Sequence, residues 1–424
     1  MSPASAAAAV GRDRRVVVRG VGAITPLGDD WPASRAALMR GETAVAPVRR
    51  FDVTGFPSTV AAAIDRTWPD EDRRRPLALA AAREAWAAAG WAWRAGAAPG
   101  RLGVFVGAES GRASFATLLG LARAAGGGAR FDHAAFGGGA RAFAAAIDAA
   151  VLSPSAIAAA LAGELGATGP VDTVCLACAS GAAAIVEAVR ALRAGECDVA
   201  LCGGVGADVD PLMLAGFGLL GALSARGVSC PFDAGRDGFV VGEGAAMLVL
   251  TRGDDGAAHG DVVELAGVGR SLDGYHLTAP EPEGDGAARA MTAALRDAGV
   301  DGGAVGYVQA HGTSTPLNDP AEIKALGRVL GSLDRVRVSS VKGAVGHWVA
   351  GAGAIGVLCA IEAVGSGSIV PTAGLRTPDA ACAADHVIGV GVHADVDVAL
   401  ANAFAFGGAN ACVVVRRAPG AGAR

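Results

Sequence analysis

Short apolar runs alternate with longer stretches of small residues along this chain. The run 15–21 predicts a strand, and the run 102–107, which is uniformly apolar, predicts a buried strand. The Ala-rich stretch 76–90, closed by Gly90, and the stretch 153–165 predict helices. Residues 124–139 are rich in Gly and Ala and predict a loop or a mobile cover. Strands that alternate with helices indicate an α/β fold with mostly parallel sheets.

The same order of strands and helices occurs twice. Residues 171–195 predict a strand, a tight turn and a small-residue helix, and residues 338–367 repeat this pattern. Three further pairs of segments correspond: 16–24 with 262–270, 103–110 with 306–314, and 199–204 with 398–408. A duplicated α/β half explains these matches. We therefore predict an N-terminal half over 15–252, a C-terminal half over 261–416, a seam over 253–260, and disordered tails over 1–14 and 417–424.

Composition excludes several classes of protein. The 424 residues carry a net charge of −5 and no dense basic run, which argues against nucleic-acid binding. No uninterrupted apolar window reaches the length of a membrane helix, and 351–364, the nearest, includes Glu362. Eight cysteines without framework spacing, and no secretory signal, predict a reduced cytoplasmic protein.

Cys178 is the first candidate for chemistry. It lies where the predicted strand gives way to a helix, and the unpaired amides and dipole of a helix start favour a thiolate. The small neighbours Ala177 and Ser180 would leave the sulfur approachable, although a packed structural thiol also fits a lone cysteine in an apolar run. Cys175 forms a Cys-x-x-Cys pair with it, but a strand position would turn Cys175 inward. A zinc site lacks a second well-spaced pair, so no metal or redox role is expected.

Two histidines follow predicted strands in the second half. His311 lies in HGTSTPLND, and His347 lies in a loop shortly after Lys342. Functional residues of parallel sheets usually lie at the carboxyl ends of the strands, so we expect both rings to lie near Cys178. A thiol with two imidazoles is a coherent set for nucleophilic catalysis.

Five motifs in order carry a family resemblance. They are LACASG around Cys178, PFDAGRDGFVVGEGA (231–245), HGTSTPLND (311–319), the stretch from Lys342 to His347, and NAFAFGGAN (402–410). Together they resemble the β-ketoacyl-acyl-carrier-protein synthases, most closely the elongating synthase II type and the ketosynthase subunits of type II polyketide systems. The resemblance covers roughly residues 15 to 416.

This resemblance implies a thiolase-like fold of five layers, α-β-α-β-α, built from the two duplicated halves. It implies decarboxylative condensation of an acyl group on Cys178 with a malonyl unit borne by the phosphopantetheine arm of an acyl carrier protein, with no metal or redox cofactor. His311 and His347 would promote decarboxylation and stabilise the enolate. Lys342 would orient the loop of His347, with Glu322 as its buried carboxylate partner.

The resemblance also assigns residues around the reacting groups. The amides of Cys178 and Phe406 would form the oxyanion hole, while Thr313 and Thr315 would bind the pantetheine arm. Phe406, with Gly407 and Gly408, would form a gate against a second loop that contains Asp273 and His276. Of these residues, Asp273, Gly407 and Gly408 would also bind substrate. Ala405 stands where the family usually has glycine. For docking of an acidic carrier, the candidates are four basic residues: Arg73, Arg74, Arg75 and Arg226.

Two alternatives accompany this interpretation. A biosynthetic thiolase would need a second catalytic cysteine, and Cys412 lacks the Cys-x-Gly context. A non-catalytic chain-length partner subunit would have replaced Cys178. The family norm predicts a homodimer, while a heterodimer with a chain-length-factor-like subunit, in which this chain is the active member, stays open.

Overall fold

The computed structural model of the protein describes residues 15–68, 72–126, 130–144, 147–253 and 263–418. The predicted tail 1–14 and nearly all of the predicted seam lie outside these residues. Of the second predicted tail, residues 417 and 418 are described, and Arg417 is the last residue of a strand.

The strands are β1 (Val16–Ile24), β2 (Ala46–Pro47), β3 (Val60–Ala61), β4 (Leu102–Gly107), β5 (Val171–Val174), β6 (Val199–Ala207), β7 (Glu243–Arg252), β8 (Val263–Leu272), β9 (Tyr307–Gln309), β10 (Arg337–Ser339), β11 (Ser368–Ile369), β12 (Asp385–His386), β13 (Val392–His393), β14 (Val398–Phe404) and β15 (Ala409–Arg417). The helices are α1 (Trp31–Met39), α2 (Arg74–Ala88), α3 (Phe115–Ala124), α4 (His133–Phe143), α5 (Ala149–Leu152), α6 (Ala156–Leu165), α7 (Ser180–Ala194), α8 (Pro211–Leu219), α9 (Asp285–Ala298), α10 (Asn318–Leu330), α11 (Lys342–Val345) and α12 (Ala352–Ser366).

The strand order confirms the duplication. The first half has the order β5-β4-β6-β7-β1, and the second has β10-β9-β14-β15-β8, with β12 added at its edge. Among these five corresponding strands, each half has two parallel pairings, at its β5 or β10 side, followed by two antiparallel ones, so the prediction of mostly parallel sheets is wrong. The two sheets meet through β1 and β8, which share the single pairing Val17–Glu264. The repeated sequence pattern therefore predicted four corresponding strand pairs correctly, namely β1 and β8, β4 and β9, β5 and β10, and β6 and β14, and the structure adds β7 and β15 as a fifth.

Helices lie between and outside the two sheets. The small-residue helices α7 and α12 pack against each other between them, α7 on β4 and β6 and α12 on β14 and β15. Helices α2 and α6 cover the outer face of the first sheet, and α9, backed by α10, covers that of the second. This is the five-layered arrangement that the resemblance implied.

Matching glycines let the outer helices approach their strands. A Cβ added at Gly20 in β1 would lie 2.1 Å from the carbonyl oxygen of Ala85 in α2, and one at Gly267 in β8 would lie 2.2 Å from that of Ala294 in α9. Backbone cannot yield to such a contact, so only glycine fits at both positions. The repeated Gly-Val-Gly of the two strands thus records a packing requirement that both halves share.

The apolar stretch Val349–Ser366, which ends in α12, is long and apolar enough to span a membrane. It is 83% buried within the protein, between the two sheets. It is therefore a core segment of the fold.

The predicted loop over 124–139 is wrong in part. Helix α3 ends at Ala124 and α4 begins at His133, with residues 127–129 outside the described part of the chain. The side chain of Asp132 accepts hydrogen bonds from the amides of Ala134 and Ala135 and so caps α4. The capping residue outweighs the low helix propensity of the glycines that follow.

Candidate active site

Cys178 lies in the tight turn between β5 and α7. The preceding Ala177 has a φ of 44°, in the left-handed region. The hydroxyl of Ser180 closes the turn, since it donates to the Ala177 carbonyl at 2.6 Å and accepts from the Leu176 amide at 2.8 Å. The helix begins at Ser180, two residues later than Cys178, and the Cys178 side chain is buried.

The protonation state of the Cys178 thiol in the free protein differs from the predicted thiolate. Burial raises the pKa of its thiol to about 12, although nearby Lys342 and a hydrogen bond from the Phe406 amide both act to lower it. The predicted preference for thiolate is wrong for the free protein, because desolvation outweighs the helix start. The sulfur is a neutral thiol that is surrounded by groups able to stabilise negative charge.

Cys175 is exposed, against the prediction that it points inward. The strand ends at Val174, so the strand alternation on which that prediction rested no longer applies. Its sulfur lies 3.5 Å from a carboxylate oxygen of Glu109, and partial desolvation of the thiol together with this carboxylate raises the pKa of Cys175 to about 11. Within the described residues, no group of three His, Cys, Asp or Glu side chains could hold a metal ion.

The backbone fixes the tautomer of His347. The amide of Val349 donates to His347 Nδ1 at 3.2 Å, so in the neutral ring the proton is on Nε2. The His347 amide donates to the carbonyl of Val240 at 2.8 Å, and the ring packs edge-on against Phe239. Burial and the charge of Lys342 hold the pKa of His347 well below its usual value.

His311 is oriented in a similar way by Lys342. The Lys342 Nζ lies 3.3 Å from His311 Nδ1 and also bonds to the His311 carbonyl oxygen. An ammonium group can only donate, so Nδ1 is the acceptor and Nε2 carries the proton. Burial and Lys342 hold the pKa of His311 well below its usual value, and the two imidazole rings lie 5.8 Å apart at 82°.

The side chain of Lys342 contacts His311, a contact that the resemblance did not imply. Its ammonium group bonds to His311 Nδ1 and to the His311 carbonyl oxygen, whereas its backbone carbonyl accepts from the amide of Gly346, just before His347, at 3.1 Å. Burial lowers the pKa of Lys342 to about 8, with the Glu322 charge acting in the opposite direction. Lys342 therefore stays mainly charged at neutral pH.

Glu322 holds the backbone of the His311 loop. Its two carboxylate oxygens accept from the amides of His311 and Gly312, each at 2.8 Å, and from Asn402 Nδ2 at 3.1 Å. Burial raises the pKa of Glu322, while these bonds act to lower it. Its effect on Lys342 is electrostatic, and its direct contacts position His311.

A cavity of about 320 Å³ brings the predicted groups together. Its walls include Cys178, His311, His347, Thr313, Thr315, Phe406, Glu322 and Asp273. The hydroxyls of Thr313 and Thr315 are 2.8 Å apart. Cys412, which a thiolase would need in the site, is buried on β15 opposite Asn402 and is absent from this lining.

Phe406 stands on a turn that is tied to the loop over 271–281. Gly407 and Gly408 have φ values of 84° and 79°, and the Gly407 amide donates to the Leu277 carbonyl at 2.7 Å. Asp273 accepts from Asn410 Nδ2 at 2.6 Å, so its carboxylate joins the two loops. Gly407 and Gly408 were predicted to bind substrate, but they form the turn and are absent from the described lining of the cavity.

Two of the predicted docking residues are used inside the fold. Arg74 is buried, bonded to Asp72 and to the carbonyls of Glu109 and Val151. Arg73 forms an ion pair with the buried Glu243 at 2.7 Å. These two predictions are wrong, since the helix start of α2 directs both guanidinium groups to internal acceptors. Arg75 and Arg226 are exposed, and Arg226 lies 3.9 Å from Asp237.

Several supporting residues escaped the sequence analysis. Asn402 bonds to Glu322, Asn410 bonds to Asp273, and Asp319 accepts from the amides of Thr313 and Phe232. All three are polar residues buried within apolar surroundings. Each already stood in a quoted motif, and an amide or carboxylate in an apolar strand or loop start was the available signal.

Comparison with known proteins agrees with this geometry. The family model "Beta-ketoacyl synthase, N-terminal domain" matches residues 13–256, and "Beta-ketoacyl synthase, C-terminal domain" matches residues 262–376. The chain is 32% identical over 422 residues to the 3-oxoacyl-[acyl-carrier-protein] synthase 2 of Coxiella burnetii, covering 95% of this chain and 99% of the relative.

Two solved structures are also similar. The ishigamide ketosynthase/chain length factor matches with a TM-score of 0.84 and 32% identity, over 96% of this chain and 100% of that one. A ketosynthase bound to a hexaketide, in complex with its type II PKS acyl-carrier protein, matches with a TM-score of 0.82 and 28% identity, over 96% and 100%. With its thiol, two oriented imidazoles and duplicated fold, this chain belongs to the β-ketoacyl synthase family.

Proposed function

We propose that this protein elongates acyl chains by decarboxylative condensation of an acyl group on Cys178 with malonyl-acyl carrier protein. The observation that carries the proposal is the state of the two histidines. Both Nδ1 atoms are occupied as acceptors, so two neutral Nε2–H donors remain, and both rings line the cavity that contains the Cys178 thiol. Two such donors in a dry site suit an enolate oxygen that develops negative charge.

In the first half-reaction, the Cys178 sulfur attacks the thioester carbonyl of the acyl carrier. The new bond to sulfur forms, the bond to the pantetheine sulfur breaks, and the thiol proton leaves with the departing arm. The Phe406 amide, which bonds to the resting sulfur, and the Cys178 amide would hold the carbonyl oxygen. Loss of the proton only during attack accords with the raised pKa of the thiol.

In the second half-reaction, the malonyl thioester loses CO₂ and the resulting enolate attacks the acyl carbonyl on Cys178. A carbon–carbon bond forms, the bond to Cys178 breaks, and the released thiolate takes up one proton. His311 and His347 would donate to the thioester oxygen of the enolate. Thr313 and Thr315 would hold the arm that carries it, since both hydroxyls border the cavity.

The proposal names an acyl carrier protein as partner and needs no metal or redox cofactor. A solved ketosynthase in complex with its acyl-carrier protein supports the partner. A homodimer is proposed, and the similarity to a ketosynthase/chain length factor keeps a heterodimer open in which this chain is the active member. A cytoplasmic location is proposed from the eight cysteines, all of which are free.

Replacement of the nucleophile tests the reaction. Cys178→Gln should abolish transfer of acyl chains yet retain decarboxylation of malonyl-carrier protein, because an uncharged amide can occupy the place of the thioester. Intact-protein mass spectrometry of acylation and CO₂ release would report the two steps. As matched variants, His311→Ala and His347→Ala should keep acylation of Cys178 in single turnover and lose condensation. Acylation of Cys175 or Cys412 instead, or loss of acylation in both histidine variants with the fold preserved, would contradict these roles.

A further inference from the structure

The most exposed large apolar side chains of the described residues lie mainly on three segments that also line the Cys178 cavity. Seven such side chains are at least 57% exposed, and six of them belong to three segments: 211–222, 272–281 and 311–318. Each of these segments also supplies residues to the cavity lining. The six residues, termed the apolar rim, are Leu219, Leu220, Leu272, Tyr275, Leu277 and Leu317.

Three separate elements hold the rim at the cavity. Leu219 and Leu220 end helix α8, whose buried Leu214 and Phe217 pack in the same cluster as Cys178. The Leu277 carbonyl accepts from the Gly407 amide beside Phe406. Leu317 lies directly before α10, whose Glu322 holds the His311 loop. Exposed apolar side chains on three segments that line one cavity indicate a surface that a partner covers.

The rim carries little positive charge. The three segments contain no Lys or Arg. Arg289, which donates to the Leu272 carbonyl, also forms an ion pair with Asp285, and Arg226 lies beside Asp237. Arg73 and Arg74 are used inside the fold, as described above. An acidic partner would therefore find few unpaired cations at this opening.

We propose that the acyl carrier protein docks on the apolar rim, and that apolar contacts rather than ion pairs supply most of the affinity. This proposal rests on the proposed function. The cavity indicates which partner binds there. Its lining includes the thiol and both imidazoles, so a pantetheine arm that reaches them must bring its carrier protein to the opening of the cavity. The carrier that fits would present apolar side chains next to the serine that bears the arm.

Salt dependence and rim substitution test the proposal together. The KM for malonyl-carrier protein should change by less than about twofold between low and high salt, because screening acts on charges and spares apolar burial. Leu219→Ser and Tyr275→Ser, neither of which lines the cavity, should each raise this KM, by about tenfold for the leucine if its side chain is fully buried. Val390→Ser is the matched control, since Val390 is 60% exposed and lies outside the three segments.

A small malonyl thioester separates this proposal from the proposed function. Its turnover should be the same in the wild type and in all three variants. If the wild type does not condense even the small thioester, the proposed function fails. If it does, but the carrier KM rises steeply with salt or is unchanged by Leu219→Ser, apolar docking is wrong. A change of oligomeric state in Leu219→Ser, measured by analytical ultracentrifugation, would instead assign the rim to a subunit interface and overturn the proposal.

Discussion

At the scale of single residues, the charge on Lys342 keeps His311 in the donating tautomer. Below pH 8 the ammonium group must donate to His311 Nδ1, so the Nε2 proton is available to the substrate. Above this pH the neutral amine can also accept, and the tautomer is no longer enforced. We therefore expect Lys342 to act on the reaction through the ring it contacts.

This predicts an alkaline decline in decarboxylation. In the Cys178→Gln background, which removes the titration of the thiol, kcat/KM for malonyl-carrier protein should fall as pH rises through about 8, the pKa of Lys342. Lys342→Met should be slower at neutral pH and should lack this decline. The pKa values of His311 and His347 lie well below the usual value, so both rings stay neutral at and below pH 6.5. No decline in activity from protonation of the imidazoles is therefore expected near pH 6.5. A decline that persists unchanged in Lys342→Met would assign it to another group.

The chemical residues were predictable because each type occurs rarely and in a distinctive setting. Cys178, His311 and His347 follow strands, and the cavity brings them together. The pKa of Cys178 was not predictable, because it depends on burial by Val209, Phe239 and other residues distant in sequence. The internal contacts of Arg73 and Arg74 were not predictable for the same reason. Partners such as Glu243, which pairs with Arg73, lie far along the chain.

At the scale of elements, the turn after β14 couples the position of Phe406 to the loop over 271–281. Phe406 is half-buried, lines the cavity and supplies the amide that bonds to Cys178. Ala405 precedes it and bonds to Ala409 across the turn, which restricts the backbone more than glycine would. The element therefore favours the position of Phe406 that is observed.

Opening this gate should uncouple the two half-reactions. Phe406→Ala should admit the extender before Cys178 is acylated, visible as CO₂ release without condensed product. Ala405→Gly should change turnover or acyl-chain preference with a nearly unchanged melting temperature, because it alters only backbone freedom. Loss of stability in Phe406→Ala without wasteful decarboxylation would show that Phe406 is a core residue.

The contact between α7 and α12 depends on glycine. A Cβ at Gly181 would lie 2.9 Å from the Ala350 carbonyl oxygen and 3.0 Å from the Ala354 amide nitrogen, both backbone atoms. Gly181→Ala should therefore separate the helices, lower the free energy of unfolding by ~1–3 kcal/mol and slow acylation of the nearby Cys178. The control is Gly356→Ala in α12, whose Cβ would meet only the Gln309 side chain at 3.5 Å. Equal stability of the two variants by chemical denaturation would refute this account.

Helices and strands with a clear hydrophobic pattern were predicted well, whereas a helix whose start depends on a capping residue was not. The strand over 102–107 is observed with the predicted bounds, and the helix over 76–90 is observed as Arg74–Ala88. Helix α4 was missed because its start depends on Asp132, whereas its sequence is dominated by glycine and alanine. The duplication allowed the second sheet to be predicted from the first.

At the scale of the whole molecule, the two halves share one core. The largest buried cluster combines Val189 and Leu250 of the first half with Ile355 and Val413 of the second. Helix α12 of the second half contacts β6 and β7 of the first as well as β14 and β15 of its own. Separation of the halves would expose this shared layer to water, at a cost of roughly 25 cal/mol for each Å² of apolar surface.

The halves should consequently unfold as a single cooperative unit. In native-state hydrogen exchange, amides of β6 and β14, the corresponding central strands, should open with the same free energy and the same dependence on denaturant. The edge strand β12, which has only two residues, should exchange at lower free energy and serves as the internal control. The proposed subunit partner does not affect the comparison if all amides are followed in one sample at one protein concentration. If β14 instead opened at a distinctly lower free energy than β6, the second half would be an independent unit, and the α7–α12 layer would be an interface between two domains rather than a shared core.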